Sequence, residues 1–207
     1  MRVTVYDYGA GNLHSLAKSL AAPDRTVRLE ADPFSALDTD VLVLPGVGAF
    51  APAAARLFPA RAAMRAAILG GLPTLGICLG MQLLFDASDE GEGAGLGVFS
   101  GRATRLRAIR TPHIGWNTLD DAREPLCAAS DLRIAYYANS FVCRAADPGM
   151  VTSWSTHESD RFAASVRRGS VVGVQFHPEK SSAPGLRFID AFLRATNAAP
   201  MPFSVTT

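Results

Sequence analysis

Three residues of the kinds that carry out acyl-transfer chemistry stand at two places in this chain. Cys78 is centred in Gly76-Ile77-Cys78-Leu79-Gly80, and His177 and Glu179 lie in Val174-Gln175-Phe176-His177-Pro178-Glu179. The first pattern is the thiol counterpart of the Gly-x-Ser-x-Gly elbow, in which a strand turns sharply into a helix and presents the central residue. Glycines two residues to either side let the backbone make that turn without side-chain clashes. The thiol then projects at the positive end of a helix, where the reactive thiolate is favoured. In the second pattern, residues two apart in an extended chain face the same side, and Pro178 keeps His177 extended. A histidine and its orienting carboxylate could therefore project together. The histidine would take a proton from the thiol and later hand it to a leaving amine, while Glu179 holds the ring and supports the imidazolium.

Each signal alone is weak. Gly-x-Cys-x-Gly also describes a buried cysteine between packing glycines, and His-Pro-Glu also describes a solvent-facing turn. Together they are specific, because a poised thiol needs a base and the chain has only four histidines. His14 falls in a helix, His113 follows Pro112 in an extended loop, and His157 sits in a Ser/Thr/Glu turn; only His177 leaves an apolar strand with a carboxylate two residues on. A third element, Leu44-Pro45-Gly46-Val47-Gly48-Ala49-Phe50, directly follows a strand. Its glycines free the backbone to turn the amides of Val47 and Gly48 toward an anion, and with the Leu79 amide these would make an oxyanion hole. Gly9-Ala10-Gly11 lacks the third glycine of a dinucleotide fingerprint, His14 standing in its place, which rejects a Rossmann cofactor site.

The elements that must position these residues follow from periodicity. Val3–Tyr8, Thr26–Leu29, Val41–Leu44 and Pro73–Ile77 read as strands, and Leu13–Leu20 and Met81–Phe85 as helices. The Ala- and Arg-rich segment 52–69 reads as helix divided at Pro59. This alternation predicts an α/β fold with a mainly parallel central sheet covered by helices on both faces. Asp89–Gly97 reads as a surface loop. The second half is β-rich, with strands at Val98–Leu106, Arg133–Val142, Val151–Thr156, Phe162–Val166 and Ser170–Phe176, a hairpin turn at Arg168-Gly169, and a closing helix over Leu186–Ala195. The 207 residues suit one domain, 1–207, with 198–207 as a frayed tail.

Composition excludes several classes. With 48% hydrophobic residues, 19% charged residues and a net charge of +1, the chain is neither disordered nor a polyanion binder, so no nucleic acid is expected. No apolar run is long enough to span a membrane, and Met1–Tyr8 has the alternation of a strand and not the layout of a signal peptide. Three cysteines, Cys78, Cys127 and Cys143, lack disulfide or metal-ligand spacing, so no metal and no organic cofactor is expected, and a reducing cytoplasm fits best.

Tyr8-Gly9-Ala10-Gly11-Asn12-Leu13, Leu44-Pro45-Gly46-Val47-Gly48, Gly76-Ile77-Cys78-Leu79-Gly80-Met81-Gln82, Pro112-His113-Ile114-Gly115-Trp116-Asn117 and Phe176-His177-Pro178-Glu179-Lys180-Ser181 occur in this order. In that order the sequence resembles the class I glutamine amidotransferases with a Cys-His-Glu triad. The second, fourth and fifth motifs make it most similar to the branch of glutaminase subunits that serve a barrel-fold synthase (cyclase) in histidine biosynthesis. The resemblance covers nearly the whole chain and implies a flavodoxin-like core. It also implies that Cys78 attacks the side-chain amide of glutamine, that His177 protonates the departing ammonia, and that water hydrolyses the γ-glutamyl thioester. The ammonia would pass within a heterodimer to the synthase, where it helps form imidazole glycerol phosphate and an aminoimidazole carboxamide ribotide. Gly46, Gln82, Ser140 and Phe141 would line the glutamine site, and Asn12, Trp116, Tyr136 and Lys180 would face the partner.

Two departures from the family pattern stand out. The family commonly has His-Ser/Thr-Tyr where this chain has Asn139-Ser140-Phe141, and often His where this chain has Ala49. Ser140 keeps the hydroxyl and Phe141 the ring, without the tyrosine oxygen. Three other readings stay open at this level: a glutaminase serving another synthase, a thiol γ-glutamyl hydrolase acting alone, and a silent binding subunit that keeps the fold.

Overall fold

The structure is a computed structural model that describes residues 1–9 and 13–197. Its first half runs β1 (Arg2–Tyr6), α1 (His14–Leu20), β2 (Thr26–Glu30), β3 (Val41–Leu44), α2 (Phe50–Leu57), α3 (Arg61–Leu69), β4 (Thr74–Ile77) and α4 (Leu79–Leu84). The second half adds β5 (Ala87–Ser88), β6 (Gly101–Arg105), β7 (His113–Thr118), α5 (Pro125–Ser130), β8 (Ile134–Asn139), β9 (Phe141–Ala145), β10 (Val151–His157), β11 (Asp160–Arg168), β12 (Val171–Val174) and α6 (Ser182–Asn197). The tail expected at 198–207 lies outside the described residues.

Seven strands form the central sheet in the order β10-β11-β12-β4-β3-β1-β2. From β2 to β12 every neighbour is parallel, while β11 and β10 extend the sheet antiparallel. The parallel part, β2-β1-β3-β4-β12, has the flavodoxin-like order, so the expected mainly parallel α/β sheet is observed. Such strands are buried on both faces, and the Val-Leu-Val-Leu run of β3 shows why that requires an unbroken apolar string. Val41 and Val43 pack into one core with α1, α5 and α6, through Leu16, Leu20, Leu126, Phe188, Ile189 and Phe192. Leu42 and Leu44 pack into the opposite core with α2, α3 and α4, through Phe50, Leu57, Met64, Ile68, Leu79 and Leu83. Between α2 and α3, Pro59 sits in a single 3-10 turn at Phe58–Ala60, which is how the helical segment divides.

Two smaller sheets, β5-β6-β9 and β7-β8, together with β10, β11 and β12 of the central sheet make up the β-rich second half. Four local expectations need correction. The strand expected over Arg133–Val142 is two strands, because Asn139 pairs with His113 of β7 while Phe141 pairs with Arg105 of β6. Ser140 is the switch between sheets, and its carbonyl accepts from the Leu106 amide at 2.8 Å. The strand expected from Val98 begins only at Gly101, since the Val98 and Phe99 amides both turn back to the Leu84 carbonyl and Gly101 has φ +121°. His113 opens β7 and does not lie in a loop, and α5 was not anticipated at all. The 89–97 segment is only partly a surface loop: Leu96 is fully buried, and the Glu90 carboxylate accepts from the Phe50 amide at 3.0 Å, capping α2.

Candidate active site

The carboxyl ends of three adjacent parallel strands, β3, β4 and β12, deliver Gly46, Cys78 and His177 to one place. This is where open α/β sheets place their ligand sites. Cys78 directly follows β4 and has φ 48° and ψ −105°, a left-handed conformation that a residue with a Cβ adopts only when its surroundings hold it. Those surroundings are visible. The Cys78 amide donates to the Val174 carbonyl at 2.7 Å, and the Cys78 carbonyl accepts from the Gln82 amide at 3.1 Å. Neither flanking glycine carries the positive φ itself; both allow close packing. A Cβ on Gly76 would lie 2.7 Å from the Gly80 carbonyl oxygen, and one on Gly80 would lie 2.0 Å from that of Leu44.

His177 leaves β12 with its amide bonded to the Tyr136 carbonyl at 2.8 Å and its carbonyl accepting from the Ser181 hydroxyl at 2.7 Å. Its Nδ1 is 2.8 Å from Glu179 Oε1, which leaves the other ring nitrogen for Cys78. The ring is buried, and burial by itself pulls an imidazole down. The hydrogen bond to Cys78, then that to Glu179, then the charges of both, overcome this and raise His177 from 6.5 to about 9. A histidine held so is an imidazolium at neutral pH, which is the state that can protonate a leaving amine. Gly46 abuts this pair, since a Cβ there would lie 2.9 Å from His177 Cε1 and 3.0 Å from Cys78 Cβ.

The 45–49 segment is pinned at both ends. The buried Tyr8 hydroxyl donates to the Pro45 carbonyl, and Glu90 holds the Phe50 amide on the other side. Between them Gly48 is exposed with φ +102°, a conformation that favours glycine, and Val47 is half-buried. Leu79 is the first residue of α4, where an amide has no preceding helical turn to bond. Gln82 is buried on the same helix and donates through Nε2 to the Phe141 carbonyl at 3.3 Å; Asn139 Nδ2 donates to the same oxygen at 3.1 Å. Ser140 and Phe141 are half-buried at the crossing between sheets.

Of the residues assigned to a partner face, Trp116 and Tyr136 are directly paired across β7 and β8, their rings edge to face at 5.9 Å. Lys180 is exposed at the end of the 3-10 turn Pro178–Lys180, and the hydrogen bonds of Tyr136 to His177 and Ser181 place that turn beside β8. Asn12 lies outside the described residues. The face of β7-β8 that carries Trp116, 54% exposed, also carries Ile114 and Ile134, 64% and 52% exposed. Among the described residues no helix is long and apolar enough to cross a membrane.

Three contacts were not anticipated from sequence. Gln175 Nε2 lies 3.5 Å from Cys78 Sγ; its place two residues before His177 on the same side of the chain was the available signal. Tyr8 and Glu90 hold the 45–49 segment from distant parts of the sequence, and no local pattern marks either.

Comparison with known proteins gives a consistent picture. The family described as "Glutamine amidotransferase class-I" matches residues 4–195. The chain is 38% identical to the "Imidazole glycerol phosphate synthase subunit HisH" of Gloeothece citriformis, over 92% of this chain and 94% of that one. It is 40% identical to the protein of that description from Halobacterium salinarum, over 92% of each chain. Among solved structures, a glutamine amidotransferase superposes with a TM-score of 0.73 at 18% identity, covering 95% of this chain and 99% of that one. The glutaminase domain of Trypanosoma brucei CTPS with bound acivicin superposes with a TM-score of 0.67 at 16% identity, covering 98% and 96%. With the fold shared by the structures and the sequence shared over almost its full length with the relatives, the chain belongs to the class I glutamine amidotransferases.

Proposed function

We propose that this chain is the glutaminase subunit of an imidazole glycerol phosphate synthase, a lyase of histidine biosynthesis in the cytoplasm, and that residues 1–207 act as one glutamine amidotransferase domain. The observation that carries the chemistry is the connected set Cys78, His177 and Glu179 at the ends of β4 and β12. The relatives supply the choice of synthase. In this reading the Cys78 sulfur adds to the glutamine side-chain carbonyl, and the oxyanion is met by the amides of Val47, Gly48 and Leu79. The imidazolium of His177 gives its proton to the departing nitrogen as the C–N bond breaks, releasing ammonia and leaving a γ-glutamyl thioester. A water then loses a proton to the now neutral His177 as it attacks the thioester, which releases glutamate and restores the Cys78–His177 pair. Glu179 keeps Nδ1 occupied, so the ring presents its other nitrogen to the sulfur throughout.

Gly46, Gln82, Ser140 and Phe141 form the glutamine pocket. Phe141 supplies its ring and its backbone carbonyl, and the hydroxyl that a tyrosine would bring is not required. The exposed apolar face of Ile114, Trp116 and Ile134, with Tyr136 and Lys180 beside it, receives the barrel-fold synthase to form a heterodimer. By the family resemblance, Asn12 would also face the synthase. Ammonia reaches the synthase without entering solvent.

The test is reconstitution with the synthase. Cys78→Ala should abolish glutamine-dependent synthesis and leave ammonia-dependent synthesis nearly intact. Equal loss of both would mean a damaged complex and would remove the support for Cys78 as nucleophile. Full glutaminase turnover by the isolated wild-type chain would instead favour a hydrolase that acts alone.

A further inference from the structure

Gln175 is wholly buried, yet its side chain is only half satisfied. Nε2 points to Cys78 Sγ at 3.5 Å, and Oε1 is buried without a hydrogen-bond partner. Leaving a buried amide oxygen unpaired is destabilising, so a side chain kept in this state is poorly explained as a packing residue. Position explains it better. The Gln175 amide bonds to the Ala164 carbonyl at 2.9 Å, fixing the backbone between β11 and the end of β12. Cys78 in turn is tied to Val174, the neighbour of Gln175. The amide therefore meets the sulfur from a rigid frame, while His177 and Glu179 lie two and four residues further along the same chain.

We propose that Gln175 is a further member of the catalytic apparatus, whose amide donates to the Cys78 thiolate and holds it on line for attack in partnership with His177. The inference rests on the glutaminase reading above and deepens it. An N–H donor suits a sulfur that carries negative charge, and it contributes least to the neutral thiol, so its effect falls on the charged state of the Cys78–His177 pair. As the thioester forms, the sulfur loses its charge and this bond weakens. The amide thus favours the resting enzyme and the expelled thiolate of the second step, and it keeps the sulfur from rotating away from His177 between them.

The experiment measures alkylation of Cys78 by iodoacetamide as a function of pH in the full chain, reading the Cys78 peptide by mass spectrometry, together with thermal unfolding. The variants are Gln175→Met, which keeps the length and removes the donor, and Gln175→Glu, which puts a carboxylate beside the sulfur. The midpoint of the Gln175→Met profile should move up by about one pH unit, the worth of one hydrogen bond to a charged acceptor. That of Gln175→Glu should move further. The unfolding temperature of Gln175→Met should be unchanged or higher, since the unpaired oxygen is gone, while kcat of the reconstituted complex falls with little change in KM. Unchanged midpoints in both variants, with wild-type Cys78 labelling normally, would overturn the role of Gln175 alone. A lower unfolding temperature with no shift in midpoint would do the same and make Gln175 structural. Failure of wild-type Cys78 to react at any pH would bring down the glutaminase reading, and this inference with it.

Discussion

Two buried histidines that both adjoin β8 show how surroundings decide what an imidazole can do. His177 sits beside Tyr136, and His113 pairs with Asn139. Both are nearly inaccessible, at 3% and 5% exposure. His177 faces a thiol and a carboxylate and is raised to about 9. His113 is lowered to about 4, first by burial and then by the charge of His157. It is stacked on that ring at 4.1 Å and on Tyr137 at 4.9 Å, and its Nδ1 has no partner. Burial pulls both down; only the polar partners of His177 reverse the sign. A buried histidine here is thus a core ring where packing brings it no acidic partner, and it is held protonated where two acidic groups converge on it.

The largest effect that can break this contrast comes from removing the proposed base. His177→Ala should lower glutamine-dependent synthesis by at least about ten-thousandfold, mostly in kcat, while His113→Phe should leave it near wild type. Near-native turnover of His177→Ala in a stopped assay of glutamate formation would bring His113 or His157 back as the base. Glu179→Gln keeps the geometry and loses only the carboxylate charge, so its loss should be about a hundredfold milder than that of His177→Ala. An equal loss would mean that Glu179 does more than orient the ring.

The pH dependence of stability sharpens the same contrast, with opposite signs. His113 has a folded value below 6.5, so its contribution is fully present above pH 6.5 and is lost as pH falls from 6.5 through about 4. His177 has a folded value above 6.5, so its contribution is fully present below pH 6.5 and is lost as pH rises from 6.5 through about 9. Chemical unfolding across pH should show both limbs. His113→Phe should flatten the acid limb alone. Cys78→Ala removes the first of the groups that raise His177, so it should shrink the alkaline limb alone. A single variant that flattened both limbs would sink the claim that the two rings titrate independently.

The smallest expected effect concerns coupling to the synthase. Isolated, the chain should hydrolyse glutamine weakly, and the synthase with its nucleotide ligand should stimulate it by orders of magnitude, with the exposed Gly48, at positive φ, the place in the 45–48 segment where a peptide would turn on contact. Lys180→Ala should cut that stimulation, or the binding of the synthase, by roughly two- to fivefold, the worth of an exposed charged contact. Basal hydrolysis should not move. A larger fall in basal hydrolysis than in stimulation would place Lys180 in the triad's support and not at the interface.

The sequence alone was enough to single out Cys78, His177 and Glu179 as candidates and to give the strand-helix order that brings them to one edge. Each of these is a short-range signal: glycines at fixed offsets, a proline between two side chains that share a face, and an apolar run bounded by turns. The parallel core was legible for the same reason, since strands buried on both faces must be continuously apolar. Tertiary structure alone decided what depends on neighbours far away in the chain. The break at Ser140 exists because Asn139 and Phe141 pair with different strands, β7 and β6. The 45–49 segment is held by Tyr8 and Glu90, and the Cys78 sulfur by Gln175, 97 residues distant. The opposite fates of His113 and His177 belong there too, because a proton affinity is set by burial and by the groups that packing places against the ring, and neither is written in the residue itself.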